Sequence, residues 1–214
     1  MFKFHEFLVE KTKKNTKVKE PKTYHAFDLD NTLVSHDDTK LRIHVMDPNG
    51  NRVRSLTPTE YNNHSLPDDH KYDYSELASS EKFAQSSKPI RKMIAKLNAI
   101  QKKNKHVEII TARSDLDDKD KFAHSLRKHG IDIKKVHVRR TGNLEIKTHE
   151  AKKKVIHDEI VKNNYQRVHF YDDHPTNIDA VLSLKKHHPE VEFHGHHVIH
   201  DPNSGNLIIN SRSV

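Results

Sequence analysis

The sequence predicts an α/β fold in which a parallel sheet is flanked by helices. Short apolar runs typical of strands alternate along the chain with longer amphipathic runs typical of helices. Strands joined by helices of this length form βαβ units, whose sheet is parallel and covered on both faces. A second observation supports the same fold, because several of the predicted strands end directly in polar residues, as strands do beside the ligand site of an open α/β sheet.

The predicted elements follow one another in a regular order from residue 23 onward. The strands are short and apolar, and they comprise Tyr24–Phe27, Val107–Ile110, Val136–Val138, Val168–Tyr171 and Val191–Phe193. The helices carry apolar residues at helical spacing, and they comprise Pro89–Asn104, Asp118–His129, His149–Asn164 and Asn177–His188. Gly130 is expected to end the second of these helices.

Two stretches depart from this pattern. Residues 1–22 form an N-terminal amphipathic segment, with Phe4, Phe7 and Leu8 at helical spacing, followed by a basic linker. The main domain then spans residues 23–214, with an insertion at about 36–88. The insertion begins with a predicted hairpin around Asp47-Pro48-Asn49-Gly50. The rest of it is expected to be mostly irregular, because it has too few aliphatic residues for a core of its own.

Composition narrows the functional classes. The chain has 214 residues and 38 Lys and Arg against 30 Asp and Glu, a net charge of +8 that favours polyanionic partners. The absence of cysteine excludes disulfides and thiolate metal sites. No apolar run approaches the roughly 20 residues of a membrane helix, and no secretory signal is visible. These features predict a cytoplasmic protein without a membrane partner.

Polar residues end three of the predicted strands. Asp28 and Asp30 follow the first strand, Thr111 ends the second, and Asp172 and Asp173 end the fourth. The ends of parallel strands meet at one edge of the sheet, so these residues are expected to converge. Carboxylates and a hydroxyl without thiolates suit Mg²⁺, which would also offset the mutual repulsion of Asp28 and Asp30. Asp28 can then act as a nucleophile and Asp30 as a proton donor.

Histidines crowd the C-terminal region but predict no zinc site. They lack the helical spacing with a carboxylate that marks such sites. The residues are His187, His188, His194, His196, His197 and His200.

The motifs at the strand ends resemble those of the haloacid dehalogenase superfamily of phosphohydrolases. Asp28-Leu29-Asp30-Asn31-Thr32-Leu33 resembles its first motif, and Thr111-Ala112-Arg113 resembles its second. Asp172-Asp173-His174-Pro175-Thr176-Asn177 resembles its acidic fourth motif. The resemblance spans roughly Thr23 to His188 and is interrupted by the insertion. It implies a Rossmann-type sheet and a phosphatase, because the acid at position 30 is dispensable in dehalogenases but needed to protonate an alkoxide leaving group.

The third motif of the superfamily is a lysine at the start of a helix. The stretch Lys147-Thr148-His149-Glu150-Ala151-Lys152-Lys153-Lys154 resembles the form with a threonine, an acidic residue and then the lysine, which selects Lys152. Lys147, Lys153 and Lys154 remain open as alternatives at this point.

The resemblance also implies a role for each site residue. Asp28 would form an aspartyl-phosphate, and Asp30 would protonate the leaving group and then activate water. Mg²⁺ would be held by the Asp28 carboxylate, the Asp30 carbonyl and the Asp173 carboxylate. Thr111, Arg113 and Lys152 would bind the phosphoryl group. Asp172 would orient the site, and Asn177 would support the metal through water.

The motif order further resembles the phosphatase domains of polynucleotide end-repair enzymes. The net charge and Arg113, Arg139 and Arg140 near strand ends would suit a nucleic-acid backbone, so 3′-phosphate ends are the expected substrate. A small phosphomonoester or a nucleotide is the alternative.

The first ten residues, MFKFHEFLVE, resemble the leader of proteins packaged into the heads of T-even-type bacteriophages, with Leu8-Val9-Glu10 as the cleavage site. This likeness implies a phage protein in the host cytoplasm or the virion. It leaves open a non-catalytic head or interaction protein, and the leader itself could instead be an amphipathic helix that docks on the domain.

Overall fold

The computed structural model of the chain describes residues 20–62, 64–103, 106–144, 146–201 and 204–214. The expectations for the N-terminal helix and for the cleavage site fall outside these residues, as does most of the basic linker. Within the described ranges, no helix combines the length and the apolar character needed to cross a bilayer.

The described residues form eleven strands and seven α-helices. The strands are numbered β1 to β11 in chain order. They are Thr23–Phe27, Val34–His36, Ile43–Met46, Arg52–Leu56, Lys71–Asp73, Ser87–Pro89, His106–Thr111, His137–Arg140, Arg167–Asp172, Glu192–His200 and Leu207–Ser213. Seven α-helices are numbered α1 to α7, and a 3₁₀ turn at Ser183–Lys186 follows the last. The helices are Pro58–Asn62, Ser75–Ala78, Ser80–Ser86, Arg91–Lys102, Lys119–Lys128, Thr148–Asn163 and Pro175–Leu182.

The main sheet has six strands in the order β11-β10-β9-β1-β7-β8. All neighbours in it pair in parallel except β10 and β11, which are antiparallel. The predicted α/β fold with a mostly parallel sheet is therefore confirmed. The order places β1 at the centre between β9 and β7, so the residues that follow these three strands lie side by side at one edge.

Two apolar layers cover the faces of this sheet. On one face, Phe27 and Ile109 pack with Met93 and Leu97 of α4 and with residues of α5. On the other, Ala26 and Phe170 pack with Ile156 of α6 and Ile178 of α7. The alternation of side chains along each strand sends successive residues to opposite layers. Burial on both sides fixes the register of β1 and hence the position of its polar end.

Helix ends follow the local chemistry of the sequence. The Asp118 side chain accepts a hydrogen bond from the Lys121 amide, so this residue caps α5 at its start. Gly130, with φ of +90°, follows the end of the same helix, as predicted. The helix predicted for 177–188 is shorter than expected, because the chain passes into the 3₁₀ turn after Leu182.

The insertion is more ordered than the sequence predicts, and the expectation of a mostly irregular segment is wrong. The predicted hairpin forms β3 and β4, and β5 joins it in a three-stranded sheet. The small core of the insertion is partly aromatic, since Tyr61 packs against Tyr72 with ring centroids 4.9 Å apart. Strands β2 and β6 pair at the two ends of the insertion and join it to the domain.

Two rows of stacked aromatic rings, most of them histidines, cover part of one sheet face and run across β1, β9 and β10. The neighbouring centroids within a row are 4.2 to 4.7 Å apart, and the rows are His25–His169–His194 and Phe27–Tyr171–His196. The two rows are joined by a hydrogen bond of 3.0 Å between His169 Nδ1 and His196 Nε2. Burial, with smaller contributions from neighbouring histidines and basic side chains, lowers the pKa of His169 to about 3 and that of His196 to about 4.

These histidines are expected to make the fold acid-sensitive. Because their folded pKa values lie below the unfolded value near 6.5, the unfolded chain binds more protons, and the free energy of unfolding falls as pH drops from about 6.5 toward 4. Chemical denaturation of wild type, His169→Phe and His196→Phe across this range measures the effect. We expect a shallower pH dependence in both variants and an unchanged one in His187→Phe, at an exposed position. Equal pH slopes in all four proteins would contradict this assignment.

Candidate active site

Asp28 stands at the tip of the central strand, directly after Phe27. Its amide donates to the Tyr171 carbonyl of β9 at 2.8 Å, which extends the β1–β9 ladder by one residue. A tight turn follows, with Asn31 in the left-handed region at φ +59° and the Leu33 amide bonded to the Leu29 carbonyl at 2.9 Å. Leu29, which lies between the two aspartates, and Leu33, which follows them, are fully buried. The turn therefore keeps Asp28 and Asp30 at the same edge of the sheet.

Lys152 bridges two aspartates at this edge. Its ammonium nitrogen lies 2.6 Å from Asp28 Oδ1 and 2.7 Å from Asp172 Oδ2. Lys152 sits in the second turn of α6 and is only 2% exposed, and the two carboxylates raise its pKa against the opposing effect of burial. The other lysines of this stretch lie elsewhere: Lys153 pairs with Glu150 and Lys154 with Asp158, while Lys147 is exposed.

Hydrogen bonds to both carboxylate oxygens fix the orientation of Asp172. While Oδ2 accepts from Lys152, Oδ1 accepts from the His174 amide at 2.9 Å and from Asn177 Nδ2 at 2.8 Å. Asp172 is fully buried. Asn177 thus holds Asp172 directly, whereas the sequence suggested that it supports a metal through water.

Asp173 adds a further carboxylate beside Asp28. Its backbone carbonyl accepts from His197 Nε2 at 2.9 Å, and its side chain is hydrogen bonded by Asn31. Burial, together with the charge of Asp172, raises the pKa of Asp173 to about 7. The pKa of Asp28 is raised as well, since burial and the surrounding aspartates outweigh Lys152. Burial is the main cause of both shifts, and the neighbouring aspartates add to it.

The crowding of carboxylates bears on whether a divalent cation fits the site. Among the described residues at this edge, the carboxylates of Asp28, Asp30, Asp172 and Asp173 face two cations, Lys152 and Arg113. If all four carboxylates were ionised, they would leave a surplus of two negative charges in a buried place, which is costly unless a cation offsets it. The raised pKa values of Asp28 and Asp173 reflect this cost. The donors are all hard oxygens, which is the ligand type that Mg²⁺ prefers. The residues present therefore fit a magnesium ion.

Asp30 is held by three side chains. Arg113 donates to both of its oxygens, from Nη2 at 2.8 Å and from Nε at 3.0 Å. Thr111 Oγ1 lies 3.3 Å from Oδ2, and His36 Nε2 lies 2.6 Å from Oδ1. Burial would raise the pKa of Asp30, but the charge of Arg113 and the bond from His36 outweigh it and lower the pKa well below its usual range. Asp30 is a carboxylate in this state of the protein.

Arg113 links the active-site edge to the insertion. Its guanidinium is 1% exposed, donates from Nη1 to the Leu77 carbonyl at 2.6 Å, and lies 4.8 Å from the ring centroid of Phe83. Leu77 and Phe83 belong to α2 and α3 of the insertion. The segment 36–88 therefore packs directly against Arg113 and, through it, against Asp30.

The structure adds two contributors that the sequence did not single out. His36 contacts Asp30 as described, although no sequence motif marks it. Gly142 follows β8 and touches the turn after Thr111, because a Cβ at this position would lie 2.3 Å from the Ala112 carbonyl oxygen and 2.7 Å from Arg113 C. Any larger residue would displace the turn that carries Thr111 and Arg113. A lone glycine among polar residues was the one sequence signal available for this contact.

A second group of potential metal ligands lies away from this edge. His106, Glu108 and Glu159 approach one another on β7 and α6. Arg139 bonds both glutamates, Tyr24 donates to Glu108, and Asn163 Nδ2 donates to Glu159 at 2.8 Å. The two carboxylates thus already share the charge of Arg139 and are hydrogen bonded by other protein groups. This cluster is a buried ion-pair network that ties β1, β7 and β8 to α6.

No protein-family model matches the chain, and no curated protein matches its sequence significantly.

Proposed function

We propose that the protein is a Mg²⁺-dependent phosphomonoester hydrolase of the haloacid dehalogenase type, which works through an aspartyl-phosphate on Asp28. One observation carries this proposal: a buried carboxylate at the tip of the central strand lies 2.6 Å from a buried ammonium, which also bonds Asp172. Phosphoryl transfer requires a positioned nucleophile and neutralisation of phosphate charge more than elaborate acid–base chemistry. Asp28 and Lys152 supply these two requirements.

The reaction would proceed in two displacements at phosphorus. In the first, an Asp28 oxygen bonds to phosphorus, the ester P–O bond breaks, and Asp30 gives a proton to the departing alkoxide. In the second, Asp30 takes a proton from water as the water oxygen bonds to phosphorus and the Asp28–phosphorus bond breaks. Inorganic phosphate and the original carboxylate are regenerated. Thr111 and Lys152 would bind the phosphoryl oxygens in both steps.

Arg113 would change partners when substrate arrives. In the present state it neutralises Asp30, and the pair keeps Asp30 ionised. A phosphate dianion offers Arg113 a second, more highly charged partner. Release of Asp30 from the guanidinium would raise its pKa toward the range needed for a proton donor. Substrate binding itself would then prepare the general acid.

A magnesium ion would offset the negative charge of the aspartates that Lys152 and Arg113 leave unbalanced. The Asp28 and Asp173 carboxylates and the Asp30 carbonyl would hold it, and the ion would supply charge stabilisation to the phosphoryl group.

Two substrate classes are favoured by different observations. The net charge of +8 favours the 3′-phosphate ends of nucleic acid. The insertion, however, carries 7 Lys and Arg against 9 Asp and Glu over residues 36–88. Arg140 lies 2.7 Å from Asp115, Arg139 bonds two glutamates, and Arg113 bonds Asp30. All three arginines that the sequence assigns to a nucleic-acid backbone are therefore engaged within the protein. These pairings favour a small phosphomonoester or nucleotide as the second candidate.

A substrate panel with purified protein tests the proposal. It comprises p-nitrophenyl phosphate, 3′- and 5′-phosphorylated oligonucleotides, nucleotides, sugar phosphates and a phosphopeptide, each with Mg²⁺ and with EDTA. We expect Mg²⁺-dependent phosphate release that EDTA abolishes. Preference for 3′-phosphorylated oligonucleotides would support the end-repair role, whereas preference for mononucleotides would reject it. No release from any substrate would favour a non-catalytic head or interaction protein, and full activity in EDTA would exclude the metal.

A further inference from the structure

His36 is the last residue of β2, and its side chain is buried at 2% exposure. Both of its ring nitrogens are engaged. Nε2 lies 2.6 Å from Asp30 Oδ1, and Nδ1 lies 2.9 Å from Ser86 Oγ. Ser86 is the last residue of α3, and β6 begins immediately after it. The hydrogen-bond chain Ser86–His36–Asp30 therefore runs from both ends of the insertion to the proposed proton donor.

The direction of these bonds follows from the chemistry of the end group. A carboxylate can only accept, so His36 Nε2 carries a hydrogen and donates it to Asp30. In the neutral ring Nδ1 is then an acceptor, and the Ser86 hydroxyl donates to it. Ser86 thus fixes the orientation of the ring, as an outer partner fixes a metal-bound histidine.

The hydrogen bond from His36 to Asp30 matters most once Arg113 has turned from Asp30 to a bound phosphate. Arg113 and His36 both donate to Asp30 Oδ1, at 2.8 and 2.6 Å. When the guanidinium turns to a bound phosphate, the bond from His36 remains. His36 is attached to buried β2, and its ring also packs edge-on against Phe83 at a centroid distance of 5.9 Å. It is therefore a rigid support for a carboxylate that has lost its other main partner.

We propose that His36, oriented by Ser86, is the positioning residue that aims the Asp30 carboxyl group at the leaving-group oxygen. The inference rests on the proposed phosphatase function and extends it to the insertion. The insertion is then part of the acid–base machinery, because its two ends meet at His36. The positioning effect acts on one chemical event, the protonation of the leaving oxygen, and leaves attack by Asp28 and the phosphate contacts of Lys152 in place.

Two substitutions at position 36 separate the two bonds. The Gln amide nitrogen can reach the position of Nε2, so His36→Gln retains a donor to Asp30. The Asn amide reaches only the position of Nδ1, so His36→Asn retains a bond to Ser86 and loses Asp30.

The neighbouring residues provide a matched control. Ser87 Oγ bonds His129 Nε2 at 2.8 Å, a partly buried Ser–His pair one residue along the chain. This hydrogen bond does not involve Asp30. His129→Asn therefore removes a similar interaction from the same region without touching the site.

The experiment measures kcat and KM of each variant with p-nitrophenyl phosphate and with an alkyl phosphate such as glycerol 2-phosphate. Nitrophenolate leaves without a proton donor, whereas an alkoxide requires one. General acid–base catalysis contributes about 10²–10⁴-fold, so we expect His36→Asn to lose kcat on the alkyl ester by roughly 10–100-fold more than on the aryl ester. His36→Gln should recover most of that difference, and His129→Asn should affect both esters alike.

The outcomes are distinguishable. Equal losses on the two esters in His36→Asn, or no recovery in His36→Gln, would overturn the positioning role while wild-type turnover keeps the phosphatase proposal intact. Absence of turnover in the wild type on both esters and on every substrate of the panel would overturn the phosphatase proposal and the role of His36 with it. A His36→Asn variant that fails to fold is replaced by Ser86→Ala, which frees the ring and should show the same ester-dependent loss to a smaller extent.

Discussion

An Asp28→Asn variant is expected to show no turnover of any phosphomonoester, because a neutral carboxamide cannot form the aspartyl-phosphate. In Asp30→Asn, the loss of activity is expected to depend on the leaving group. Asp28 can still attack, but the leaving oxygen has no proton donor, so an alkyl phosphate should lose up to about 10²–10⁴-fold and a nitrophenyl phosphate less. Initial rates on both esters, with exposed Asp132→Asn as the control, measure the difference.

Retained turnover in Asp28→Asn would contradict the assignment of the nucleophile. Identical losses of Asp30→Asn on the two esters would contradict its assignment as the acid. The two results are independent, because the first concerns the bond formed to phosphorus and the second the proton given to the leaving group.

Replacement of Lys152 by Met is expected to have the second large effect. It removes the ammonium that lies between Asp28 and Asp172, so turnover should fall far more than in Lys147→Met, Lys153→Met or Lys154→Met. Loss of one partner from a buried ion pair also destabilises a fold by about 3–5 kcal/mol. Denaturant unfolding and phosphatase rates of the four variants measure both effects.

A double variant separates stability from catalysis in this experiment. Lys152→Met with Asp172→Asn removes one charge of each sign, so it should regain part of the lost free energy of unfolding without regaining turnover. Recovery of turnover together with stability would mean that Lys152 acts only as a structural counter-ion. Equal, mild losses in all four lysine variants would return the phosphate-binding role to another residue.

Much of the main sheet is predictable because its strands carry their pattern locally. The runs that form β1, β7 and β9 are apolar, are followed by polar residues, and are separated by helices with clear apolar stripes. The adjacency of Asp28, Asp30, Thr111 and Asp172 then follows from parallel topology alone. Lys152 is harder to select, because four lysines lie within eight residues and only packing against the sheet decides which one is buried.

The extent of strands β10 and β11 and the fold of the insertion could not be predicted from the local sequence pattern. Strand β10 continues to His200 where an end at Phe193 was predicted, because stacked histidines replace the aliphatic residues that usually mark a strand. Strand β11 is largely exposed and polar, so it has no apolar alternation to detect. The insertion folds around tyrosines and a few aliphatics, and its link to Asp30 through His36 depends on a tertiary contact with no sequence signature.

The most direct test of the proposed chemistry is chemical trapping of the phosphorylated carboxylate. The protein is mixed with Mg²⁺ and p-nitrophenyl phosphate, quenched in acid after a few turnovers, reduced with borohydride, and analysed by peptide mass spectrometry. Asp30→Asn serves as a second sample, because loss of the base that activates water should prolong the life of the intermediate. We expect reduction of the aspartyl-phosphate to homoserine at Asp28 in both proteins and nowhere in Asp28→Asn. Modification of a different residue, or steady turnover with Asp28 never modified, would contradict the proposal.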